Sequence, residues 1–181
     1  REQGPLLAGP LTFGFSVYGD QHHFGPELQF GHVVGDALDN QVLLIKTAWV
    51  GKSLFVDFRP PSSGGQVGPY YTKMVEEVRA ALADLGDQKY EIAGFVWQQG
   101  WNDMVDGGVY PDRYKKGGYD KYSETLAYFI KDVRKEFNAP DMQFVIGVLG
   151  VEGPTKDYKS PRYKGVHQNF RDAMAAPAEM D

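Results

Sequence analysis

The sequence predicts an α/β fold, a three-layer α/β/α sandwich around a parallel sheet. Three observations lead there. Segments with helical spacing of apolar residues alternate with short apolar runs, in the order helix, strand, helix, strand, helix, strand, helix. The apolar runs are nearly continuous, as in strands covered on both faces of a parallel sheet. Each run also ends in a Gly-containing polar loop, and such carboxyl-end loops face one crevice, where open α/β sheets build their sites.

Residues 1–25 are rich in Gly and Pro, with Thr12 to Val17 the only candidate strand, and are expected to form an arm on a domain spanning 26–181. A helix is expected to open at Pro26, a favourable first-turn residue, with Glu27 complementing the helix dipole. It should run to Leu38, burying Phe30, Val34 and Leu38, and end at Asp39 and Asn40. Val42 to Trp49 is expected to be the first strand, emptying into Val50-Gly51-Lys52-Ser53. A long loop over 57–69 follows, of a length often associated with function. The second helix is expected from Tyr70 to Leu85, with Met74, Val75, Val78, Leu82 and Leu85 as its apolar stripe and Gly86 as its stop.

Tyr90 to Gln98 is the second predicted strand, leading into Gln99-Gly100-Trp101-Asn102-Asp103. A loop is expected over 103–118. The third helix should span Tyr119 to Phe137, carrying Tyr122, Leu126, Phe129, Ile130, Val133 and Phe137 on one face. Met142 to Leu149 is the third strand, with Gly150 to Pro154 as its exit loop. A last helix is expected from Tyr163 to Ala175 around Val166, Phe170 and Met174. Three strands make a narrow sheet, and a helix stands where a first strand is expected, so the domain is expected to be incomplete.

Composition excludes several classes. The 181 residues are enough to bury a real core. A net charge of -5 argues against nucleic-acid binding, which needs a basic surface. The chain has no Cys, which excludes disulfides, thiolate metal sites and a Cys nucleophile. No stretch reaches the roughly 18 apolar residues of a membrane span, and Arg1 to Pro5 lacks the pattern of a signal peptide.

The chemistry concentrates where the strands end. Backbone N–H groups at Gly together with a side-chain amide are the usual parts of an oxyanion hole. Gly51, Gly100 and Asn102 are the candidates, beside the alternative that Asn102 is only a turn residue. Gly51-Lys52-Ser53 invites a phosphate-loop reading, but that pattern requires Gly where Lys46 stands. His22, His23, His32 and His167 form no i, i+4 pair of zinc type, so no metal or other cofactor is expected. There is no Gly-X-Ser-X-Gly and no Gly-Asp-Ser, and Ser16 has no nucleophile-like setting.

Phe95-Val96-Trp97-Gln98-Gln99-Gly100-Trp101-Asn102-Asp103 resembles the third signature block of SGNH-type esterases, in which a strand leads into Gly-X-Asn-Asp. Gly25 to Leu28, Leu43 to Leu54 and Phe144 to Gly147 are similar to segments of the sialate O-acetylesterase-like branch (carbohydrate esterase family 6 and its relatives). The likeness covers most of 25–175. It implies a flavodoxin-like sandwich, and attack by a Ser on an acetyl ester of a sugar with a His as general base. Gly51 would belong to the second block and Gly100 with Asn102 to the third, with Gln99, Trp101 and Asp103 around the substrate. The family commonly has Gly-Gly where Val50-Gly51 stands here.

The family's Ser block and C-terminal His block are unmatched, so the expectation is a carbohydrate acetylesterase domain seen as a fragment, inactive by itself. Its partner would be an acetylated carbohydrate, with neither nucleic acid nor membrane involved. The resemblance suggests a secreted or periplasmic setting. The alternative is a non-catalytic carbohydrate-binding or scaffolding module of the same fold.

Overall fold

The computed structural model describes residues 7–16, 22–151 and 163–180. The chain divides into two compact units, Arg1–Val50 and Gly51–Asp181.

In the first unit, Pro26 opens helix α1 (Pro26–Ala37) at its first position behind Gly25. The Glu27 carboxylate accepts hydrogen bonds from Gly25 N at 3.1 Å and Lys46 Nζ at 2.6 Å. Partial burial raises the Glu27 pKa, but the Lys46 and Gly25 contacts outweigh it and hold the group below its ordinary value. Lys46 also donates to Phe15 O at 3.0 Å. The buried position of α1 is Gly31, where an added Cβ would stand 2.4 Å from Leu11 and 2.7 Å from Leu44.

The expected apolar stripe of α1 is not buried: Phe30 and Leu38 are exposed and Val34 is half-buried. Nor do Val42 to Trp49 form a strand. A strand exists only where a neighbour supplies ladder hydrogen bonds, and no described residue of this unit is in a strand or bridge. The segment from Thr12 is likewise a turn, with Gly14 at φ +98° donating to His23 O at 3.1 Å and Phe13 packed edge-on to Phe24; Val17 lies outside the described residues.

The second unit holds the sheet. Strands β1 (Gly94–Trp97) and β2 (Gln143–Ile146) pair in parallel with Phe95 opposite Phe144 and Val96 opposite Val145. Both are shorter than the apolar runs predict, and among the described residues each pairs only with the other. Helix α4 (Asp120–Glu136) covers one face. Its Tyr122, Leu126, Phe129 and Val133 are fully buried, and Phe129 meets Trp97, Phe95 and Phe144 at ring separations of 4.5, 5.9 and 6.2 Å. The opposite face leaves Val96 45% and Val145 55% exposed. The chain is therefore of mixed α/β type with a two-stranded parallel sheet.

Helix α2 (Pro69–Ala83) buries Tyr71, Met74 and Val75, leaves Val78 and Leu82 half-buried, and is followed by Gly86 at φ +56°. The loop before it is anchored: Ser62 donates through N at 2.8 Å and Oγ at 2.6 Å to the buried Asp132 of α4. Gly68 closes the loop, because a Cβ there would stand 2.2 Å from Asp57 O. Helix α5 (His167–Ala175) packs against α4 through Phe170, whose ring lies 4.7 Å from Tyr122, while Ser123 Oγ donates to Ala173 O at 2.8 Å. A 3-10 turn, Ala176–Glu179, follows. No helix among the described residues is long and apolar enough to cross a membrane.

Candidate active site

The polar stretch after β1 is not a simple turn. Trp101–Val105 forms a short helix, α3, and the loop expected over 103–118 begins with it. Between the end of β1 at Trp97 and the start of α3 at Trp101, Gly100 allows a close approach of neighbouring side chains. A Cβ at Gly100 would meet Phe170 at 2.8 Å, Leu149 at 3.1 Å and Met174 at 3.3 Å. Gly100→Ala should therefore overpack the junction of α3 and α5 and cost about 1–3 kcal/mol, read as a lower urea midpoint.

Gly51 opens the second unit in the left-handed region, with φ +74°. Across from it lies the Asn102 amide: a Cβ built on Gly51 stands 3.8 Å from Asn102 Nδ2. Two residues singled out in the sequence, with 50 residues of chain between them, thus lie side by side. Asn102 is half-buried, and its side chain makes no hydrogen bond among the described residues. Trp101 beside it is 48% exposed and meets Tyr163 edge-on at 5.6 Å.

Asp103 is turned inward and is only 1% exposed. Its Oδ2 accepts from Leu54 N at 2.7 Å and Gln99 Nε2 at 2.6 Å; its Oδ1 accepts from Phe55 N at 3.1 Å and Tyr110 OH at 3.0 Å. Burial pushes its pKa above the ordinary carboxylate value, against the pull of these four donors. Burial and the neighbouring Asp103 charge push the Tyr110 phenol up as well. Gln99 is occupied too: its side-chain amide donates to Lys52 O at 3.0 Å, and its backbone carbonyl accepts from Tyr122 OH at 3.3 Å. Of the three residues expected around a substrate, Trp101 faces outward, whereas Gln99 and Asp103 are built into the frame. Leu54, Phe55 and Tyr110 had no local signal; the spacing of four between Gln99 and Asp103 was the one visible hint of a shared contact.

Lys52, the cation of the phosphate-loop reading, lies over the Tyr70 ring at 4.1 Å and 3.5 Å from Asp57. Its hydrogen bond to Tyr70 and the Asp57 charge raise its pKa despite slight desolvation. Ser53 is held as a local cap, with N and Oγ at 2.8 and 3.0 Å from Asp57 Oδ2. At the end of β2, Arg171 donates to the carbonyls of Leu149 at 3.0 Å, Gly150, and Val151 at 3.1 Å; residues 152–154 of the third expected loop lie outside the described residues. His22, His23 and His32 are exposed, and His167 is buried with its ring stacked 6.0 Å from Tyr163. Among the described residues no group of three His, Asp or Glu could hold a metal ion.

A glycine in the left-handed region and a neighbouring side-chain amide thus lie together in the unit that holds the parallel sheet. The chain matches the family model described as carbohydrate esterase, sialic acid-specific acetylesterase, over residues 6–177, and it belongs to that family. No curated protein and no solved structure matches it.

Proposed function

We propose that this chain forms the oxyanion-stabilising part of a carbohydrate acetylesterase that removes acetyl groups from sugars by a Ser/His mechanism. The observation that carries the proposal is the meeting of Gly51 and Asn102, 3.8 Å from built Cβ to amide nitrogen. When a Ser attacks an acetyl carbonyl, charge moves onto the carbonyl oxygen. Donors already aimed at that position stabilise the tetrahedral intermediate without reorganising. Asn102 Nδ2 and the backbone N–H groups of Gly51 and Gly100 are the proposed donors, and the exposed Trp101 ring is the proposed wall for the sugar.

The attacking Ser and its His have no match in these residues in the contexts the family uses, so the proposal draws them from outside the 181 residues. In the same proposal, β1 and β2 are part of a three-layer, flavodoxin-like sandwich, since α4 already covers one face and the other carries apolar Val96 and Val145. The natural partner is an acetylated carbohydrate. The test is direct. The 181-residue chain should show no turnover of p-nitrophenyl acetate above the uncatalysed rate; turnover that disappears in Asn102→Ala would overturn the division of labour.

A further inference from the structure

Asp103 has a buried carboxylate saturated by donors from three different parts of the second unit. Leu54 and Phe55 lie on the segment that Gly51 begins, Gln99 lies at the exit of β1, and Tyr110 lies beyond α3. Each oxygen takes two of the four donors. Gln99 ties the same segment again, through Lys52 O at 3.0 Å. Asp103 also directly follows Asn102 in α3, so whatever fixes its side chain fixes the turn of helix that presents the Asn102 amide.

A group 1% exposed cannot touch a sugar or exchange protons with one. Asp57, the other carboxylate on this segment, caps its own turn at Ser53. We infer that Asp103 is the positioning residue of the site: its carboxylate clamps the segment that begins at Gly51 to α3, in the register that sets Asn102 Nδ2 beside Gly51. The inference rests on the oxyanion reading of Gly51 and Asn102 for its meaning in catalysis, but the clamp is a matter of geometry.

The carboxylate is specifically required. All four partners donate, so an acceptor at both oxygens is needed; an Asn of equal size would turn an NH₂ group toward two donors. The experiment uses isotope-labelled 181-residue chain, native and with Asp103→Asn, Gln99→Ala or Tyr110→Phe. In the native chain, NMR should show a nuclear Overhauser contact between the Gly51 α-protons and the Asn102 side-chain amide, and slow exchange of the Leu54 and Phe55 amides.

In Asp103→Asn that contact should vanish and the two amides should exchange at least about 100-fold faster, with the central amides of α4 still protected. Should Asp103→Asn fail to fold, Gln99→Ala and Tyr110→Phe decide, each expected to weaken the contact in a folded chain. A contact of native intensity in folded Asp103→Asn, or in both milder variants, overturns the inference. In protein carrying the nucleophile, Asp103→Asn should lower kcat by about 100-fold at unchanged KM, and Asn102→Ala added to it should lower kcat little further. Absence of esterase activity in every variant would count against the function alone, and the NMR contact would still decide the clamp.

Discussion

Replacing Asn102 by Ala should lower kcat for acetyl ester hydrolysis by about 10²–10³-fold, in protein that carries the attacking Ser, while leaving the unfolding midpoint in place. The magnitude follows from what one oxyanion donor supplies, about 2.7–4 kcal/mol at the transition state. The separation of the two effects follows from the structure. Asn102 is half-buried and its side chain bonds to nothing among the described residues, so its loss leaves no orphaned partner and little empty volume. Substitutions of that kind stay within about 0.5 kcal/mol in stability. KM should change little, because an oxyanion donor, the role proposed for Asn102, acts on charge that the ground-state ester lacks. Kinetics on an acetylated sugar and urea unfolding of the same preparations make the check; a fall in stability that matches the loss of rate would assign Asn102 to the frame instead.

Asp103→Ala should do the reverse and act first on stability, at a cost of about 3–5 kcal/mol, the range for stripping one member from a buried charged network. It leaves the Leu54 and Phe55 N–H groups, the Gln99 amide and the Tyr110 hydroxyl without their acceptor, and a buried donor left unmet costs about 1–3 kcal/mol. Against a total stability of about 5–15 kcal/mol, such a loss is a large fraction of the whole. The pH dependence has a definite sign. Burial holds the folded pKa of Asp103 above its ordinary value, so the folded state binds this proton more tightly than the unfolded chain does. The stability it contributes is full below the ordinary carboxylate pKa and is lost as pH rises through the folded value. The contribution of this ionisation to native stability should therefore fall as pH rises through the folded value, and Asp103→Asn, which has no such proton, should lack that dependence in urea titrations across pH.

What was legible in the chain was what local pattern decides. Tyr122, Leu126, Phe129 and Val133 recur at helical spacing, and α4 buries all four. Phe170 and Met174 are buried by the last helix in the same way, with Val166 buried at its N-cap, although the helix begins at His167 and not at the expected Tyr163. The Gly-X-Asn-Asp stretch and Gly51 could be singled out because Gly and a short amide after an apolar run are local signals. The stripe of α1 was misleading because an apolar face is buried only if its own unit supplies a cover. Val42 to Trp49 carry strand chemistry without a strand, since pairing is a property of two segments and composition belongs to one. The burial of Asp103 was not legible for a related reason. A carboxylate after Asn looks solvent-facing until four donors, from residues up to 49 positions away, converge on it. Gln99, tied to Lys52 O and Asp103, is a smaller instance.

The parallel register of β1 and β2 has a consequence for how the second unit comes together. Parallel strands cannot be joined by a tight hairpin, and here the crossover between Trp97 and Gln143 includes both α3 and α4. The entropy of closing that stretch must be met before a single ladder bond forms. The ladder itself is four residue pairs long, too little to hold the ends together unaided. Phe129 of α4, which touches rings from both strands, is the natural meeting point around which they collect. The clamp at Asp103 adds a second long-range closure to the same unit, since it joins α3 to Leu54, 49 residues earlier in the chain.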